Sequence, residues 1–137
     1  MSDTANMPMP RYRAAIMQDD EKVWLDWCEG LESTDGSGDT YAGIEGVGIV
    51  DFEIDKDSLG GGWYENNIVD DKLIGLTVYY ETPDPDSTGY FAARYRVHWM
   101  GDEPAWGKWE TDDKDGGAGN DRDQIDMVEI TIAPLEQ

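Results

Sequence analysis

The sequence predicts an all-β domain of three repeat units, in a pseudo-threefold arrangement resembling a β-prism, with a β-trefoil as the alternative. Three observations predict it. Apolar and polar residues alternate in short runs, the pattern of half-buried strands. Gly, Asp, Asn and Pro punctuate those runs as turns. A long stretch near the start of the chain returns near its end.

The first strand is expected at "RYRAAIM", Arg11 to Met17, and it returns as "RYRVHWM", Arg94 to Met100. Each copy then reaches a Trp-x-x-Trp, Trp24 with Trp27 and Trp106 with Trp109. In "QDDEKVWLDWCEGL" Val23 and Trp27 stand at helical spacing. The corresponding "GDEPAWGKW" carries Pro104 and Gly107, which a helix interior rejects, so both stretches are read as strand. Each copy passes an Asp- and Gly-rich loop, "ESTDGSGDTYAG" or "TDDKDGGAG". Each closes on a strand-like run, "GVGIVDFEI" (46–54) or "QIDMVEITI" (124–132).

"KLIGLTVYY", Lys72 to Tyr80, supplies a third ending. Stacked, the endings place Val50, Leu76 and Val128 at one position, then Phe52, Val78 and Ile130, then Ile54, Tyr80 and Ile132. Asp51, Thr77 and Glu129 would face out. The middle copy is degenerate: "GGGWYENNIV" holds Trp63 alone, without an RYR start. The units are therefore 11–54, 55–86 and 87–132, with residues 1–10 and 133–137 as tails.

At 137 residues the chain is one domain, and its six Trp and seven Tyr supply large apolar areas to bury. The formal net charge of −21 repels nucleic-acid phosphates and anionic lipid. No apolar run reaches membrane-spanning length, so neither a nucleic-acid partner nor membrane insertion is expected. "MSDTANMPMPRYR" shows no secretory signal. Cys28 is the single cysteine, which excludes an internal disulfide. It reads as a small packing residue, because the single His98 is remote in sequence.

Tyr95 to Ile132, "YRVHWMGDEPAWGKWETDDKDGGAGNDRDQIDMVEITI", resembles the clostridial hydrophobic W repeat, or ChW repeat. Tyr95, Arg96, Val97 and His98 match its opening strand, Trp106 and Trp109 its Trp pair, and Ala118 and Gly119 its turn. Ile125, Val128, Glu129, Ile130 and Ile132 match its final strand, and the first unit follows more loosely. The resemblance implies a non-catalytic module of secreted or surface bacterial proteins, associated with adhesion and with binding polysaccharide or protein. An extracellular or cell-surface location follows from it, and the missing signal leaves the cytoplasm as the alternative.

No catalytic fingerprint is present, and one histidine does not furnish a zinc site or a histidine-based mechanism. The expected function is therefore non-enzymatic, lectin-like binding of a glycan or polysaccharide at aromatic sites between loops. Trp24, Trp27, Trp63, Tyr64, Asn66, Trp106 and Trp109 are the candidate ligand-binding residues. In a strand, residues three apart face opposite ways, so one Trp of each pair can enter the core while the other reaches a surface or groove open to a sugar ring; the alternative is that both are packing residues. Trp63 and Tyr64, beside Glu65, Asn66 and Asn67, form the densest local group. No cofactor is expected beyond calcium, whose hard-oxygen candidates are Asp112, Asp113, Asp115 and Asp121; the same loops also read as solvated acidic turns. Arg11, Arg13, Arg94 and Arg96 are expected to pair with carboxylates. The alternative function is a protein-interaction or cell-surface adhesion module, or a small acidic inhibitor protein, without sugar binding.

Overall fold

Strand β1 (Arg11–Gln18) is held on both edges: β2 (Glu21–Trp24) and β3 (Cys28–Glu29) line one, and β5 (Ile49–Ile54) lines the other. This is a computed structural model that describes residues 9–29, 41–111, 117–120 and 122–134. Strand β8 (Phe91–Trp99) repeats the arrangement, with β9 (Ala105–Trp106) and β10 (Glu110–Thr111) on one edge and β11 (Ile125–Pro134) on the other. The short β4 (Ala42–Gly43) extends that sheet by pairing with β11. Between these two sheets in sequence, β6 (Trp63–Val69) and β7 (Lys72–Tyr79) form a two-stranded ribbon. All pairs are antiparallel; a 3-10 turn at Lys56–Leu59 and one helical turn at Pro85–Thr88 are the helical pieces among the described residues. The all-β expectation holds, and β11 runs two residues past the expected unit end at 132.

The three long pairs share one register. Tyr12 faces Ile54, Tyr64 faces Val78 and Tyr95 faces Ile130. Each pair breaks step at the same place, leaving Val50, Ile74 and Asp126 as the extra residue of a β-bulge. Two sequence expectations change here. Phe52, Leu76 and Val128 occupy one position, so the first ending moves two residues from the expected alignment on Val50. "WYENNIV" stands where "RYRAAIM" and "RYRVHWM" stand, so the middle unit does have an opening strand, with Trp63 at the Arg11 position and Glu65 at the Arg13 position.

Each ending strand is also gripped by another unit: the first by the middle, the middle by the last and the last by the first. The Tyr12 hydroxyl accepts the Ile130 N–H at 3.1 Å, and Tyr64 takes the Ile54 N–H in the same way. The Ala-Gly turns act likewise. Ala42 pairs with Val128, and Ala118 exchanges two backbone bonds with Leu76, at 3.0 and 2.7 Å. Gly43 and Gly119 hold φ of +115° and +105°, and a Cβ on either would collide with the bulge carbonyl it covers, that of Asp126 or Ile74. No Ala-Gly turn reaches Phe52 among the described residues. There the Asn66 amide donates to its carbonyl at 2.7 Å, and Asp51 Oδ1 accepts its N–H at 2.8 Å.

The middle unit's simplicity comes from the position of a turn. Asp19–Asp20 and Asp70–Asp71 all have positive φ, the backbone of a two-residue hairpin turn. In the shared register Asp70 falls at the Gln18 position, so this turn comes one residue early. Successive residues of a strand point their backbone groups to opposite edges. The returning strand of the middle unit therefore lands on the β5-like edge as β7, where the first unit's returns as β2 on the other edge. The core lies where the inward faces meet, with Tyr12, Phe52, Leu59, Val78, Tyr95, Val97 and Ile130 almost wholly buried.

Burial raises the phenol pKa of Tyr12 above its usual value, against the lowering by the Ile130 N–H, and burial also raises Tyr64 and Tyr80. A group whose pKa rises on folding contributes stability below its unfolded value, about 10 for tyrosine, and that stability is lost as pH climbs beyond it. The midpoint of urea unfolding is expected to fall steeply above about pH 10, and Tyr12→Phe to flatten that fall. The same variant strands the Ile130 N–H and is expected to cost about 1–3 kcal/mol at neutral pH. Gly43→Ala, combining positive φ with a backbone collision, is expected to cost more than about 2 kcal/mol by the same unfolding measurement.

Candidate functional site

Alternation places Arg11 and Arg13 on the outer face of β1, opposite to Tyr12. The Arg13 guanidinium lies over both Trp24 and Trp27, at 4.6 and 4.5 Å from their ring centres. Arg11 covers Trp27 at 4.5 Å, and Lys22 approaches Trp24 at 5.6 Å. The last unit repeats the stack. Arg96 lies over Trp106 and Trp109 at 4.4 and 4.9 Å, and Arg94 over Trp109 at 5.7 Å. Each central arginine also holds a carboxylate on the neighbouring ending strand: Arg13 with Glu53, and Arg96 with Glu129, both at 2.7 Å. Glu129, expected to face solvent, is 2 % exposed because Arg96 covers it.

Both tryptophans of each pair therefore stand on one face and share one guanidinium, which overturns the expected split between core and surface. The strand rule fails because each segment leaves the ladder between its tryptophans. The Leu25 N–H turns in to the Ala14 carbonyl, and the Gly107 N–H to that of Val97, both at 2.8 Å. A Cβ at Gly107 would sit 2.8 Å from the Trp99 ring, so a larger residue there requires that ring to move. Trp24, Trp27, Trp106 and Trp109 are half-buried, with indole faces turned to arginine.

Tyr64 and Asn66 bond to the backbone of Ile54 and Phe52 and are half-buried, so both serve the fold. Asn66 Oδ1 is buried with no hydrogen-bond partner among the described residues. Trp63 differs from every other candidate: it is 43 % exposed, with Tyr79 beside it at 6.0 Å and 30° between rings. Glu65 and Asn67 share its face and are exposed. Tyr79 and Thr77, which face them across the ribbon, were not among the sequence-derived candidates. The period-two alternation of "WYENN" against "LTVYY" was the signal for them.

Asp112, Asp113, Asp115 and Asp121 lie outside the described residues, and no cluster of metal-ligating side chains occurs among the described ones. His98 is buried, with Nδ1 2.6 Å from Asp126 Oδ1, while Asp126 Oδ2 accepts the Gly46 N–H at 2.7 Å. That is a satisfied structural histidine, tying the first unit's turn to the last unit's bulge. The Cys28 thiol donates to the Tyr41 carbonyl at 3.2 Å, and burial pushes its pKa up, away from the nucleophilic thiolate.

The two ladders make unequal demands. Arg96→Gln leaves the buried Glu129 without its cation and is expected to cost about 3–5 kcal/mol. Arg13→Gln frees the more exposed Glu53 and is expected to cost about 1 kcal/mol, mostly in stacking. Urea unfolding of the two variants side by side measures the difference. The chain matches no family model, no curated protein and no solved structure.

Proposed function

We propose that the chain is a non-enzymatic interaction module that takes up an extended segment of another protein along β6. One observation carries this reading: β1 and β8 are covered on both edges, whereas β6 pairs with β7 alone among the described residues. An open edge presents backbone donors and acceptors to any incoming strand. Trp63, Ile68 and Val69 are exposed along the same ribbon. The corresponding units support a pseudo-threefold, β-prism-like arrangement with one member left uncovered. The resemblance to ChW repeats agrees with an interaction module at a cell surface.

Carbohydrate binding is the second reading. Its support is the exposed Trp63 with Tyr79, Glu65, Asn67 and Thr77 on one face, an apolar ring flanked by groups that bond hydroxyls. The Trp pairs lend it little, because arginines occupy their faces. Calcium in the Asp-rich loops stays a proposal of that reading.

An extended-peptide library selected on the immobilised protein, with amide shift mapping of the best binders, tests the main reading. Shifts are expected to cluster at Trp63–Val69 and to vanish in Trp63→Ala. Binders that map elsewhere, or a glycan panel that alone perturbs Trp63, would overturn it in favour of another surface or of the sugar.

A further inference from the structure

We infer that the segment accepted by β6 is a cationic strand, carrying Arg or Lys at alternate positions, and this rests on the strand-addition reading above. In the two covered units the strand supplies arginines and the covering segment supplies tryptophans: Arg13 on Trp24 and Trp27, Arg96 on Trp106 and Trp109. In β6 the chemistry is exchanged. The Arg11 position holds Trp63 and the Arg13 position holds Glu65. An indole and a carboxylate two residues apart on one outward face call for cations two residues apart on the strand laid beside them.

One incoming cation would cover the indole face turned away from Tyr79, as Arg11 covers Trp27, and the next would meet Glu65. Charge supports the same partner. The chain carries 31 acidic and 10 basic residues, so a basic strand is drawn in over long range. A second copy of this chain would set Glu65 and the Asp70–Asp71 turn against like charge, which disfavours pairing of β6 with itself.

Three synthetic eight-residue peptides test the proposal on the intact chain. They share one inward set of Val and Ile and differ only in the outward set: Arg, Gln or Glu. Calorimetry at low and moderate salt, with amide shift mapping, is the readout. The Arg peptide is expected to bind at β6, to quench tryptophan fluorescence, and to lose at least tenfold in affinity in both Trp63→Ala and Glu65→Lys. Both residues are exposed, so neither variant threatens the fold.

Glu65→Lys changes a single site in a strongly acidic protein, so undiminished binding would mean diffuse charge attraction and would overturn the proposal. Equal binding of the Gln peptide at β6 would overturn the cationic partner while sustaining strand addition. Binding of no peptide would overturn both. Sedimentation of the protein alone completes the test, because a dimer abolished by Glu65→Lys would assign the edge to a second copy.

Discussion

The contact on which the rest turns is an arginine that stacks on two indoles and donates to a carboxylate. Arg13 in the first unit and Arg96 in the last each join three strands at one point: their own, the Trp-x-x-Trp segment on one edge, and the ending strand on the other. Guanidinium suits the position because it is planar, permanently charged and weakly hydrated, so it stacks and pairs at once. The short β2, β3, β9 and β10 pieces have little ladder of their own, and the stack is what holds them on the edge they cover. In the last unit the stack also neutralises the buried Glu129.

The middle unit shows what the fold becomes without that contact. A turn one residue early sends the chain back on the other edge, and among the described residues no covering segment brings tryptophans. The residues change to suit. Trp63 and Glu65 replace the arginine pair, and the Asn66 side chain takes over the carbonyl that a neighbouring Ala-Gly turn would otherwise satisfy. Asn66 Oδ1 is left without a partner among the described residues, an imperfect substitution for two backbone bonds. The edge left unpaired among the described residues thus follows from turn position, and it coincides with Trp63, the one well-exposed tryptophan among them.

Much of this was legible in the sequence because it is periodic. The RYR starts and the alternating endings mark strands that the structure contains, and the first tryptophan of each pair, Trp24 or Trp106, ends a short one. The first ending slid by two residues because alternation repeats every two, and apolar pattern alone does not choose between Val50 and Phe52. Aligning Glu53 with Glu129, the carboxylates that the arginines need, would have chosen correctly. "WYENNIV" hid its kinship with "RYRAAIM" because the exchange of Arg for Trp and Glu inverts charge and bulk while only Tyr64 and Ile68 persist. The shared face of each Trp pair was illegible from strand geometry, since the break at Leu25 and Gly107 is a backbone event without an apolar signature.

Native-state hydrogen exchange distinguishes the edges of β1 and β8, covered on both sides, from that of β6, paired with β7 alone among the described residues. In β1 and β8, amides directed to either edge are predicted to be protected. In β6, protection is predicted to alternate, with the amides facing away from β7 exchanging fast and their neighbours slowly. Uniformly slow exchange along Trp63–Val69 would contradict the account, because it would mean that this edge is already covered.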